Sequence, residues 1–347
     1  MQLAKELSLK EEQVRKTVEL IDEGCTIPFI ARYRKEVTGS LDDTVLRALE
    51  ERLTYLRNLQ KRKDEVAKAI TDLGLMTDEI FAALEEAQIL TEVEDIYRPF
   101  KPKRKTRASV AREKGLAPLA QLLLEQDPGT DPEKEAAAYI HEEKGVLSVE
   151  EALQGAQDIL AEDISDDAQL RKDLRSLIAK SGTISAVAAD PEAESVYRTY
   201  YDYTEPLGKI AHHRVLALDR GEKEGFLKVA ISLPEHMGES FVVRHYLKGD
   251  SPSSAYVRQA AEDSCKRLLF PSVEREIRND LTANAAEQAI QVFASNLRQL
   301  LMQPPVKNTV TLGLDPGFRT GCKVAVVDHT GKVLHTDVVH ITANSAA

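Results

Sequence analysis

Three kinds of chemistry are open to the side chains that this sequence groups together. The first is contact with phosphate. The text RPFKPKRKTRASVAREK sets Arg98, Lys101, Lys103, Arg104, Lys105, Arg107, Arg112 and Lys114 against the single acid Glu113, an excess of seven positive charges. Pro99 and Pro102 keep its first half extended. Cations on an extended backbone can neutralise successive phosphates and release their counterions. Arg32, Arg34 and Lys35 repeat the pattern on a smaller scale. The second chemistry is stacking, for which Tyr197, Tyr200, Tyr201 and Tyr203 are candidates. Packing, with hydroxyls bonded to backbone, is the favoured reading of such a cluster. The third is metal-assisted hydrolysis. Asp315 follows the alternation Val310, Leu312, Leu314 and precedes Pro316-Gly317, which leaves its carboxylate at a strand tip. A two-metal site needs several converging carboxylates, and Asp315 stands alone, so a turn is favoured over an active site. His212-His213 lack a third nearby ligand, and no phosphate loop of the GxxxxGKS type occurs.

The totals constrain these options. The chain has 347 residues, 42% of them apolar, enough for two or three cores. Its net charge of −11 excludes general binding of polyanions, so any nucleic-acid contact must come from a local patch. The same acidity offers the basic segment helices of its own protein to dock on, and the sequence leaves both outcomes open. Three isolated cysteines, Cys25, Cys265 and Cys322, show no disulfide or zinc spacing. Without a long apolar run or a signal-peptide pattern, the chain reads as a soluble cytoplasmic protein with no membrane contact.

The elements that must position these groups are mostly helical. Leu9, Val14, Val18 and Ile21 mark a first helix, Ile27 to Lys35 a short second one, and Asp42 to Leu73 a long third with Leu46, Leu49, Leu53, Val66 and Ile70 on one face. Helices separated by glycine turns could form a helix-turn-helix unit. Thr77 to Thr91, Ser148 to Ile164 and Asp166 to Ser181 also read as helices. His213–Leu218 and Phe226–Leu233 alternate like strands across DRGEKEG, which predicts a β-hairpin. Tyr256–Leu269 is helical, and Pro271-Ser272 opens a helix over Val273–Met302 with Val273, Ile277, Leu281, Ile290, Phe293, Leu297 and Leu300 as one face. Pro304-Pro305 stops it. Residues 309–341 then predict a three-stranded antiparallel meander whose third strand runs from Val333 to Ile341.

Several stretches together resemble one family. IPFIARYRKEVTGSLDD (27–43), EDIYRPFKPKRKTRASVAREKGLAPLA (94–120), YDYTEPLGKI (201–210), ALDRGEKEGFLKVAI (217–231), PSVEREIRNDLTANAAEQAIQVFASNLRQLL (271–301) and LGLDPGFRTGCKVAVVD (312–328) are similar to the bacterial Tex proteins, transcription accessory proteins related to the elongation factor Spt6. The likeness runs in order through nearly the whole chain. It implies a mainly α fold: a helical module with a helix-turn-helix-like part over 1–200, a hairpin-containing segment over 201–270, a central helix over 271–303, and the first three strands of an RNase H-like YqgF domain over 307–347. It also implies that helix-hairpin-helix motifs and an S1 domain follow in the family, so that this chain corresponds to an amino-terminal half. Asp315 then occupies the place of a first RNase H-like carboxylate, vestigial in a family thought to have lost part of that set.

The expected function is a non-catalytic transcription accessory protein that binds RNA or DNA, single strands above all, without sequence preference. The eight cations of 98–114 are the expected contact. RNA polymerase or the ribosome is a possible partner, and no cofactor, metal or small-molecule substrate is expected. Two rival readings are a metal-dependent nuclease of the RNase H or resolvase type and a protein-binding scaffold.

Overall fold

The computed structural model describes residues 2–102, 105–304, 306–317 and 321–340. It divides into two compact units, Met1–Ala283 and Asn284–Ala347. The first unit opens with α1 (Gln2–Glu6), α2 (Glu11–Asp22), α3 (Ile27–Tyr33) and α4 (Lys35–Thr38), which lie around the start of α5 (Asp43–Asp72). The Asp42 carboxylate accepts the Val45 N–H at 2.9 Å and so fixes where α5 begins. Leu46, Leu49 and Leu53 face the first helices; Leu59, Val66 and Ile70 continue the stripe beneath α6 (Asp78–Glu86) and α7 (Leu90–Tyr97). The expected single helix over Thr77–Thr91 is thus two, broken at Ala87, which leaves the helical region at ψ 126°.

Next, α8 (Arg107–Glu113), α9 (Ala117–Glu125) and α10 (Pro132–Ala137) pack on α11 (Val149–Asp166). Gly155 permits the close approach. A Cβ there would lie 2.4 Å from Leu116 Cδ1 and 3.4 Å from Ala111 Cβ, so a larger residue would have to displace the Leu116 side chain. Helix α12 (Ala168–Ser181) leads into β1 (Thr183–Ala188), the centre of an antiparallel sheet ordered β2-β1-β3, with β2 at Asp202–Pro206 and β3 at Leu227–Ser232.

The hairpin over 213–233 does not form. Its second half is β3, paired with β1 from Thr183↔Ser232 to Ala188↔Leu227, but its first half lies inside α13 (His212–Lys223). Six alternating residues fit a strand and a helix equally well. The buried positions Val215, Leu218 and Gly221 step by three, as one helix face does. Gly221, read as a turn, is a packing site: a Cβ there would sit 2.5 Å from Leu227 Cδ1 and 3.2 Å from Tyr197 Cδ1.

After α14 (Met237–Tyr246), one helical path runs from α15 (Ser254–Asp263) through a π-helical stretch, Ser264–Leu269, into α16 (Phe270–Leu301). Pro271 therefore lies within a helix instead of opening one. It offers no N–H, and its ring crowds the carbonyl four residues back. The wider π turn directly before it is the kind of ladder irregularity that admits such a residue.

Helix α16 is continuous as expected, but its apolar residues do not share one face. At 100° per residue, Ile290, Phe293, Leu297 and Leu300 are rotated by roughly 160° from Val273, Ile277, Leu281 and Ala285. Val273, Ile277 and Leu281 are buried in or packed against the core of the first unit, whereas Ile290, Phe293, Leu297 and Leu300 are exposed. Nine residues separate Leu281 from Ile290, half a turn out of phase, and the two units divide at this change of side.

In the second unit, β4 (Thr311–Asp315), β5 (Cys322–Val327) and β6 (Val333–Val339) form the antiparallel meander in the order β4-β5-β6. Asp328 closes the β5–β6 turn, accepting from the N–H groups of Thr330 (2.8 Å) and Lys332 (3.0 Å). Ile341, Pro305 and the Phe318–Thr320 part of the DPGFRTG text lie outside the described residues.

Candidate nucleic-acid interface

The basic segment joins the end of α7 to α8. Arg98 and Pro99 prolong α7 as a short 3-10 turn, Lys101 is extended, and Thr106 restarts the helix as the cap of α8, exchanging hydrogen bonds with Ser109 at 2.8 and 3.0 Å. Lys103 and Arg104 lie outside the described residues.

Four of the other six cations end on the protein itself. Arg98 reaches into a buried cluster, donating to Ser272 Oγ (3.3 Å) and Glu276 Oε1 (3.2 Å) on α16. Lys101 pairs with Glu94 and lies 5.4 Å from the Tyr97 ring centre. Arg112 bridges Glu162, at 2.7 Å, and Asp163 on α11. Lys114 donates to the Gly145 carbonyl at 2.7 Å. Lys105 and Arg107 are exposed. Together with Lys114 they edge an open groove of about 500 Å³ between α8 and α11, whose other wall carries Glu151, Gln154, Gly155 and Asp158. Burial pushes the Asp158 carboxyl above its ordinary range, against the opposing pull of Arg107 and Arg267.

The cluster that takes up Arg98 was not legible in the sequence. Arg171 on α12 is fully buried. Its Nε donates to Asp95 Oδ1 at 2.7 Å, Nη1 to the Ser165 carbonyl at 3.3 Å, and Nη2 to Ser272 Oγ at 3.2 Å and to Glu276. Arg175, one turn on, spans Glu276 (3.0 Å) and Asp95. Burial, and then the charge of Arg171, hold the Arg98 guanidinium below its usual pKa. The arrangement ties α7, α12 and α16 together from segments far apart in sequence. The only advance signal was an RxxxR pair on one face of a predicted helix.

The tyrosines pack. Tyr197 is buried beside Phe226, and Tyr200 meets Tyr203 edge-on at 5.3 Å. The Tyr201 hydroxyl donates to the Ala193 carbonyl at 2.6 Å, and that of Tyr203 binds Glu205. His212 and His213 begin α13.

Asp315 ends β4, exposed and opposite Lys323. Register puts Asp315, Lys323 and Val338 on one face of the sheet and Leu314, Val324 and Asp337 on the other, so the two strand carboxylates diverge. Among the described residues no group of three or more His, Cys, Asp or Glu could hold a metal ion. No helix among them is long and apolar enough to cross a membrane.

Comparison with known proteins agrees with this architecture. Residues 1–71 match the Tex-like protein N-terminal domain, 127–293 the Tex central region-like domain, and 309–347 the Tex protein YqgF-like domain. The chain is 47% identical to the uncharacterised protein YdcI of Bacillus subtilis, over 98% of this chain and 48% of the relative. It is 41% identical to the transcriptional accessory protein Tex of Neisseria gonorrhoeae, over 98% and 45%. To the human S1 RNA-binding domain-containing protein 1 it is 31% identical, over 93% and 34%. The chain thus spans about half the length of the bacterial relatives. The order of the three matched domains, with these identities along nearly the whole chain, makes it a member of the bacterial Tex family.

Proposed function

We propose that this chain belongs to a transcription accessory protein of the cytoplasm that binds single-stranded nucleic acid weakly and without sequence preference, and that it catalyses no reaction itself. The observation that carries this reading is the groove between α8 and α11, where Lys105 and Arg107 stand exposed beside Lys114. Its edge can follow a phosphate backbone, while Glu151 and Asp158 on the far wall keep the interaction modest. Lys103 and Arg104 adjoin Lys105 in sequence. The names of the relatives, a transcriptional accessory protein and an S1 RNA-binding domain-containing protein, point the same way. An RNA polymerase or ribosome partner fits a transcription role. The divergence of Asp315 and Asp337 across the sheet argues against the nuclease reading.

The test is the anisotropy of labelled twelve-nucleotide dT and rU strands titrated with the chain over a range of salt. If four cations reach phosphates, log affinity falls against log salt with a slope of roughly −3. Replacing Lys105 and Arg107 together by Ala then flattens the slope by about 1.4. The labelled strands should stay intact in Mg²⁺ or Mn²⁺. Absence of binding would leave the protein-scaffold reading, and cleavage would restore the nuclease.

A further inference from the structure

Helix α3 turns two isoleucines inward and two aromatic rings outward. Ile27 and Ile30 are buried with Leu20, Leu41 and Leu46. Phe29 and Tyr33, four residues apart on the opposite face, are 37% and 55% exposed. Their ring centres lie 5.3 Å apart. The Arg34 guanidinium sits 5.0 Å from the Phe29 ring centre, and that of Arg32 sits 6.0 Å from that of Tyr33.

Charge sets this ledge apart from its surroundings. Arg15, Arg47, Arg52 and Arg57 each pair with a carboxylate: Glu19, Asp43, Glu6 and Asp22. Among the described residues Arg32, Arg34 and Lys35 pair with none. Arg34 donates only to the neighbouring Tyr33 carbonyl, at 3.0 Å. Glu36 is the one acid between Ile27 and Leu41. In a chain with 57 acids and 46 bases, three adjacent cations without an anion, beside two uncovered rings, match a ligand carrying both flat faces and negative charge.

We propose that Phe29, Arg32, Tyr33, Arg34 and Lys35 form a stacking platform for single-stranded nucleic acid, distinct from the groove along α8. The rings and guanidinium planes take base faces, while the cations take the flanking phosphates. Because every base has a π-face, such a platform is indifferent to sequence. A duplex hides those faces, so single strands are preferred. The proposal rests on the reading that the chain binds nucleic acid, and its test separates the two.

The chain has no tryptophan, so Tyr33→Trp introduces a single indole that reports stacking directly. Saturating dT12 should quench its emission about twofold, with a midpoint matching the anisotropy titration. Inorganic polyphosphate of similar length supplies charge without bases and should leave the emission unchanged. Replacing Lys105 and Arg107 by Ala should weaken binding yet preserve the quench at saturation. Phe29→Ala with Tyr33→Ala should weaken dT12 binding about tenfold, without altering the thermal melt. If dT12 binds but neither quenches the indole nor responds to loss of the rings, the platform is wrong and the groove reading stands. Equal quenching by polyphosphate would show that charge alone acts there, which also overturns stacking. Failure of dT12 to bind at all overturns both readings.

Discussion

In the stretch 98–114, four of the six described cations end on acceptors of their own protein; in the stretch 32–35, none meets a carboxylate. By composition the first is much the stronger candidate for phosphate contact. By availability the two are comparable. On either side of the α7–α8 connection, Arg98, Lys101 and Arg112 are spent on Glu276 of α16, Glu94 of α7, and Glu162 and Asp163 of α11. Among the described residues, Arg32, Arg34 and Lys35 of the α3–α4 ledge pair with no carboxylate. A segment's charge count bounds how many phosphates it could hold, and the carboxylates within reach decide how many it does.

The largest effect that sharpens this contrast should come from the buried end of the first stretch. Arg171→Met leaves Asp95 and Glu276 without their central partner, and removing one member of a buried ionic cluster costs about 3–5 kcal/mol. Chemical denaturation should show that loss, with nucleic-acid affinity unchanged at temperatures where the variant is folded. A loss below about 1 kcal/mol would mean that the cluster is not what holds α12 to α16.

A smaller effect concerns Asp158, on the acidic wall of the groove. Its folded pKa lies above the ordinary value, so its charge opposes folding near neutrality, and it also opposes an approaching phosphate. As pH falls through that raised pKa the carboxyl is neutralised and affinity for dT12 should rise. Asp158→Asn should reproduce the gain at pH 7, about two- to threefold. It should be neutral or stabilising at pH 7, and any stability gain should vanish below about pH 4, where both folded and unfolded forms are protonated. An affinity independent of pH between 4 and 7 would remove Asp158 from the interface. The smallest effect belongs to Asp315→Asn, which should leave binding and melting essentially unaltered. A drop in affinity would give that carboxylate a part in recognition.

Much of the fold was legible in the sequence, and the failures share a cause. Regular periodicity over long windows located α5, α11 and α12 within a residue or two, and the alternation around Asp315 located β4, β5 and β6. Short windows are ambiguous: the six residues His213–Leu218 alternate like a strand yet lie in α13, and the alternating run Thr183–Ala188, centre of the first sheet, is too short to stand out. In α16 the apolar residues keep a helical spacing on each side of a change of phase between Leu281 and Ile290, so spacing alone predicts one face where the helix has two. The site was least legible because its availability depends on contacts between distant positions. Arg98 and Glu276, or Arg112 and Glu162, meet only in the fold, and no local pattern announces them.

The central claim is that uncommitted cations, not the total in 98–114, set affinity for nucleic acid. Two double variants of that one segment test it: Lys101→Gln with Arg112→Gln, and Lys105→Gln with Arg107→Gln. Both remove two positive charges, so any general effect of net charge is the same. The quantity to measure is the slope of log affinity against log salt for dT12. The first pair should leave the slope within error of the unmodified chain, and the second should flatten it by about 1.4. Equal flattening by both pairs would contradict the account, because it would mean that the ion pairs to Glu94, Glu162 and Asp163 open to let their cations reach phosphate.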